Sequence, residues 1–106
     1  MTTVTQVEES NFETLLASEK LVVVDFTAKW CGPCRKITPF MEEIAKTYED
    51  SVEVVKVDVD QSKPLAKKYT IRSIPAVLFF KNGDVVETIV GVQPYEKFVS
   101  TIDKFV

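Results

Sequence analysis

The sequence predicts an α/β protein in which a central mixed β-sheet carries helices on both faces. Three observations lead there. Apolar runs rich in β-branched or aromatic residues at 21–26, 52–58 and 76–80 read as strands. The segments between and after them place apolar residues at helical spacing. Asn82-Gly83 is the two-residue signal for a type I′ turn that folds the third run back onto 85–90 as an antiparallel hairpin, whereas strands alternating with helices imply parallel neighbours.

Each element has a local reason. Residues 3–7 alternate weakly and suit a short edge strand. Ser10 and Glu13 match a capping box leading into Phe12, Leu15 and Leu16. Leu21-Val22-Val23-Val24-Asp25-Phe26 is nearly continuous in apolar residues, the pattern of a central strand buried on both sides. From Cys34 onward Ile37, Phe40, Met41, Ile44, Ala45 and Tyr48 share a helical stripe, with Pro39 inside it and expected to bend the helix. Ser62, Lys63 and Pro64 read as the cap and first turn of a short helix ending near Tyr69. Lys67-Lys68 is a solvated face of that helix. A final stripe of Tyr95, Phe98, Val99, Ile102 and Phe105 follows Pro94 and should cover one face of the sheet. The resulting order is β-α-β-α-β-α-β-β-α.

Size and composition narrow the function. A chain of 106 residues supports one hydrophobic core and not two, so a single domain over 1–106 is expected. The net charge of −3 is mild, no Lys/Arg-rich block occurs, and the aromatics sit in apolar periodic segments. These features argue against a nucleic-acid partner. No segment approaches the roughly 20 apolar residues of a membrane span, and the N-terminus lacks a basic region followed by an apolar run. A monomer in the reducing cytoplasm is the expectation, and a processed organellar protein would look the same.

The chemistry concentrates at Trp30-Cys31-Gly32-Pro33-Cys34, which holds both cysteines of the chain between a strand and a helix. A disulfide across so short a loop removes little unfolded-state entropy, roughly 2 kcal/mol, which is poor value for a structural staple. A closed zinc site needs four ligands, and the chain offers two Cys and no His. Two inert buried thiols fit badly around Gly-Pro, which makes a turn-to-helix junction. Redox chemistry remains. Gly32 is expected to let the backbone pass close by, and Pro33 to occupy the first helical position. That leaves Cys31 at the helix N-terminus, where unpaired N–H groups and the helix dipole favour a thiolate. Cys31 is then the nucleophile, and Cys34, one turn inside, the shielded resolving thiol.

Asp25 is the next candidate, since a carboxyl in an apolar strand has its pKa raised by desolvation. Capping of the following loop is the alternative for it. Asp58 and Asp60 fall short of a calcium loop and read as solvated or capping.

Beyond the motif, the chain resembles thioredoxins over nearly its whole length. The residues carrying the resemblance are Val24-Asp25-Phe26, Trp30-Cys31-Gly32-Pro33-Cys34, Pro39, Lys56-Val57-Asp58, Ile74-Pro75, Lys81-Asn82-Gly83 and Gly91, in the family's order. The resemblance implies the thioredoxin fold and a protein-disulfide reductase working through a mixed disulfide. It further implies Asp25 as proton acceptor for Cys34 and Lys56 as modulator of Asp25. A cis-proline loop at Ile74-Pro75 would stand beside the cysteines. Around Cys31 a flat apolar surface is implied, made of Trp30, Gly32, Pro33, Ile74, Pro75, Val90, Gly91 and Val92, which receives disulfide-containing proteins. No dinucleotide fingerprint is present, so no cofactor is expected and electrons would come from a thioredoxin reductase. Two departures stand out: Thr27, where many bacterial members carry an aromatic residue, and Lys29 before Trp30. The alternatives are a non-catalytic binding subunit of the same fold, or a disulfide isomerase or oxidase, which the Gly-Pro insert disfavours.

Overall fold

In the computed structural model residues 4–106 are described, and the elements follow the expected order. They are β1 (Thr5–Gln6), α1 (Glu9–Leu16), β2 (Leu21–Thr27), α2 (Gly32–Thr47), β3 (Val52–Asp58), α3 (Lys63–Lys68), β4 (Ala76–Lys81), β5 (Asp84–Val90) and α4 (Tyr95–Asp103). The five strands form one sheet in the order β1-β3-β2-β4-β5. β1, β3 and β2 run parallel, and β4 and β5 run antiparallel to their neighbours. Of the expected first strand, Thr3 lies outside the described residues.

Alternation along β2 divides the interior. Leu21 and Val23 join Ile37, Met41 and Ile44 of α2 and Phe98 and Ile102 of α4 on one face. Val22, Val24 and Phe26 join Phe12 and Leu16 of α1 and Leu65 of α3 on the other. Helices therefore cover both faces, and β2, third of five, is buried along its first six residues. Fully burying a side chain of this size contributes about 1.5 to 3 kcal/mol, so the paired clusters dominate stability. Phe80 meets both Tyr69 and Phe12 edge-on, with ring centroids 5.3 Å apart between Tyr69 and Phe80, and Tyr69 meets Phe12 at a tilt.

The hairpin forms as read: Asn82 and Gly83 take φ of 53° and 86°, the left-handed pair a type I′ turn requires. A register shift between Phe79 and Phe80 bends β4 against β5. Helix α2 continues through Pro39, which removes only the rung to the Arg35 carbonyl.

Three local expectations are corrected. Ser10 does not cap α1: the N-cap is Glu8, without a side-chain bond, and Ser10 lies inside the first turn with its hydroxyl on Asn11 Oδ1 at 3.3 Å. The Val7 N–H still bonds the Lys56 carbonyl at 2.9 Å, so β-type pairing persists to Val7 and the helix must begin directly afterwards. Pro33 occupies the second helical position, because Cys31 itself is the N-cap and Gly32 the first residue. No close approach demands Gly32 either, since a Cβ there would meet nothing within 4 Å. It keeps the surface beside Cys31 low.

Candidate active site

The site lies where β2 ends and α2 begins. Cys31 adopts an extended conformation as the N-cap of α2, and its Sγ accepts the Cys34 N–H at 3.2 Å. A cap acceptor at this place meets donors that the helix cannot satisfy internally, and the same donors stabilise negative charge on sulfur. Cys31 and Cys34 are joined as a disulfide, with Cα atoms 5.4 Å apart. Ala28, Val59 and Ile74 pack around the pair. Cys31 is 3% exposed and Cys34 1%, so the contrast in shielding expected between them is slight. Apolar neighbours from three loops close over both sulfurs.

The residues expected to surround Cys31 differ in exposure. Trp30 is 68% exposed, Val90 50% and Val92 45%. Gly32 and Pro33 are also exposed, Ile74 and Gly91 are half-buried, and Pro75 is buried. The Ile74-Pro75 peptide is cis, and the Ile74 carbonyl oxygen stands 4.0 Å from Cys31 Sγ. Gly91 takes φ of 87°, which favours glycine, and its N–H bonds the Pro75 carbonyl at 2.8 Å. This bond ties the end of β5 to the cis-proline loop. Trp30, Val90 and Val92 thus leave apolar area exposed around Cys31.

Beneath α2 lies Asp25. It shares the α2-facing side of β2 with Leu21 and Val23 by alternation, and the parallel register sets it beside Lys56 of β3. Asp25 is 4% exposed and its Oδ1 has no hydrogen-bond partner. Burial pushes its pKa up to about 7, against the opposing pull of the Lys56 ammonium. A cavity of about 160 Å³ opens on this carboxyl, lined also by Val4, Thr27, Thr38, Met41, Glu42 and Lys56. Thr38 stands one turn beyond Cys34 and donates its hydroxyl to the Cys34 carbonyl at 3.3 Å. The cavity thus reaches the turn of α2 that carries the second cysteine.

Two residues gained roles that the sequence left open. Asp60 Oδ2 accepts the Trp30 indole N–H at 2.7 Å and holds the exposed ring in place. Asp58, 5% exposed, caps the loop with Oδ1 accepting from the N–H groups of Asp60 at 2.8 Å and Gln61 at 3.2 Å. The signal for Asp60 was the β2–β3 register: Thr27 opposite Asp58 sends the loops carrying Trp30 and Asp60 out side by side. Among the described residues, no group of three or more His, Cys, Asp or Glu is placed to hold a metal. No helix among them is long and apolar enough to cross a membrane.

Comparison with known proteins agrees with this geometry. The thioredoxin family model matches residues 3–104. A thioredoxin of Pyropia yezoensis is 42% identical over 104 residues, covering 97% of each chain. Thioredoxin 1 of Synechococcus elongatus is 48% identical over 90 residues, covering 85% of this chain and 84% of its own. The chloroplastic M-type thioredoxin of Spinacia oleracea is 46% identical over 93 residues, which are 88% of this chain and 51% of that longer one. Among solved structures, the Malassezia sympodialis thioredoxin superposes with a TM-score of 0.90 at 38% identity, covering 98% of this chain and 91% of its own.

Proposed function

Because the chain belongs to the thioredoxin family and is a dithiol-disulfide oxidoreductase acting on protein disulfides, we propose that Cys31 attacks, Cys34 resolves and Asp25 takes the resolving proton. The Cys31 thiolate attacks one sulfur of a substrate disulfide. That S–S bond breaks, its other sulfur leaves as a thiolate, and a Cys31–substrate mixed disulfide forms. Cys34 gives its proton to Asp25 and attacks Cys31 Sγ, which releases the second substrate thiol. Two electrons pass to the substrate and the Cys31–Cys34 disulfide is left. A reductase returns two electrons to restore the dithiol.

The observation that carries these roles is the cap: Cys31 Sγ is the sulfur that accepts the Cys34 N–H at the start of α2. Asp25 serves because an acceptor with a pKa of about 7 takes a proton at neutral pH and returns it readily. Lys56, in register beside it, favours the ionised form that must do the accepting. Trp30, Gly32, Pro33, Ile74, Pro75, Val90, Gly91 and Val92 receive the substrate segment.

One domain acting as a monomer suffices, since both cysteines and Asp25 come from consecutive elements. The dithiol works in a reducing compartment, the cytoplasm or the interior of an organelle, the latter supported by relatives whose names include chloroplastic forms. Insulin reduction driven by dithiothreitol tests the assignment. Wild type accelerates it and Cys31→Ser does not; equal rates would reject catalysis and leave a binding subunit.

A further inference from the structure

The charge around the cysteines runs against that of the whole chain. The protein carries 16 Asp and Glu against 13 Lys and Arg, yet from Phe26 to Met41 it has Lys29, Arg35 and Lys36 and no carboxylate. All three cations are exposed. Among the described residues the ion pairs are Lys68–Glu13 and Lys104–Glu87, and none of the three cations joins one. Arg35 is also fixed in place. Its Nη2 donates to the Lys29 carbonyl at 2.8 Å, which brings the guanidinium back from α2 to the backbone beside Trp30. The remaining guanidinium N–H groups stay free for a carboxylate.

A fourth cation, Arg72, is exposed two residues before Ile74, whose carbonyl stands over Cys31. Two carboxylates stand at this end of the sheet: exposed Asp60, which keeps its negative charge while accepting the Trp30 indole N–H, and buried Asp58, which accepts two backbone N–H groups, so the four cations outnumber the one exposed anion. The loops that meet at Cys31 therefore present a net excess of positive charge around an apolar centre.

We propose that Lys29, Arg35 and Lys36, with Arg72 from the facing loop, form a cationic rim that selects disulfide-bearing polypeptide segments flanked by acidic residues. The proposal rests on Cys31 being the attacking thiol. Rim charges of this kind act on encounter rate and partner choice more than on the chemical step, and salt screens them.

Three peptides of equal length carrying the same disulfide, flanked by Glu, by Ser or by Lys, test the rim through their rates of reduction by the dithiol protein. At roughly 20 mM salt the Glu-flanked peptide is expected to react about tenfold faster than the Lys-flanked one, and at about 0.5 M no more than about twofold faster. The double variant Lys29→Glu/Lys36→Glu is expected to reverse the order. Equal rates for Glu and Lys flanks at low salt, with the Ser-flanked peptide reduced normally, would overturn the rim while the dithiol reading stands. An unchanged order in the double variant would also overturn it. If none of the three is reduced, the dithiol reading falls and the rim with it.

Discussion

Asp25 and Lys56 are register partners on adjacent parallel strands, both on the side of the sheet that α2 covers. The carboxyl is therefore caught between desolvation, which favours its neutral form, and one cation, which favours its charge. Desolvation wins and the pKa stands near 7 instead of 3.8.

The first consequence is for stability. A carboxyl whose folded pKa lies above its unfolded value binds more protons in the native state between pH 3.8 and about 7. Its contribution to stability is thus greatest below that window and falls as pH rises through it, levelling off above about 7. The span from 3.8 to about 7 corresponds to at most roughly 4 kcal/mol. Denaturant titrations of the oxidised protein and of Asp25→Asn between pH 4 and 8 should show the variant gaining on wild type as pH rises. A constant difference would mean that Asp25 does not titrate in this range.

A kinetic consequence follows from the same carboxyl. Asp25→Asn should slow release of the mixed disulfide at pH 7 by at least about tenfold and change its formation far less. Lys56→Met removes the one influence that lowers the Asp25 pKa, so the pH midpoint of the release step should move upward. Single-turnover trapping with a disulfide peptide separates the two steps. Slower formation with unchanged release would reject Asp25 as the proton acceptor.

Trp30 is the sole tryptophan, so its fluorescence reports its own anchor. Asp60→Ala removes the 2.7 Å bond to the indole. For exposed partners this should cost about 1 kcal/mol of stability or less. The anisotropy of Trp30 should drop, and kcat/KM should fall severalfold for protein disulfides and less for a small disulfide. An unchanged anisotropy would show that Asp60 does not hold the ring.

Much of this was legible in the residues. The Leu21–Phe26 run could only be a strand covered on both sides, and Asn82-Gly83 named its turn type. Cys-Gly-Pro-Cys placed its first sulfur at a helix start. Contacts between distant segments were less legible. Ser10 matched a cap, but the pairing of Val7 with Lys56 set where α1 begins. Gly32 suggested a close approach, whereas open space surrounds it. The near-burial of Cys31 depends on Val59 and Ile74, which arrive from other loops. Tertiary neighbours decide such features, and local pattern carries no record of them.

The hairpin supplies a control remote from the chemistry. Gly83 holds a φ of 86°, which an L side chain adopts at a cost of about 1 to 2 kcal/mol. Gly83→Ala should lose about that much stability by denaturant titration while insulin reduction at 25 °C stays at the wild-type rate. A neutral effect on stability would show that the turn relaxes to another type.

The assignment of the two sulfurs is tested most directly by trapping. Reduced Cys34→Ser, mixed with a disulfide peptide and digested without reductant, should carry the peptide on Cys31 as a stable mixed disulfide. Reduced Cys31→Ser should carry little or none on Cys34. Accumulation of the adduct on Cys34 in the second variant, with none on Cys31 in the first, would contradict the account.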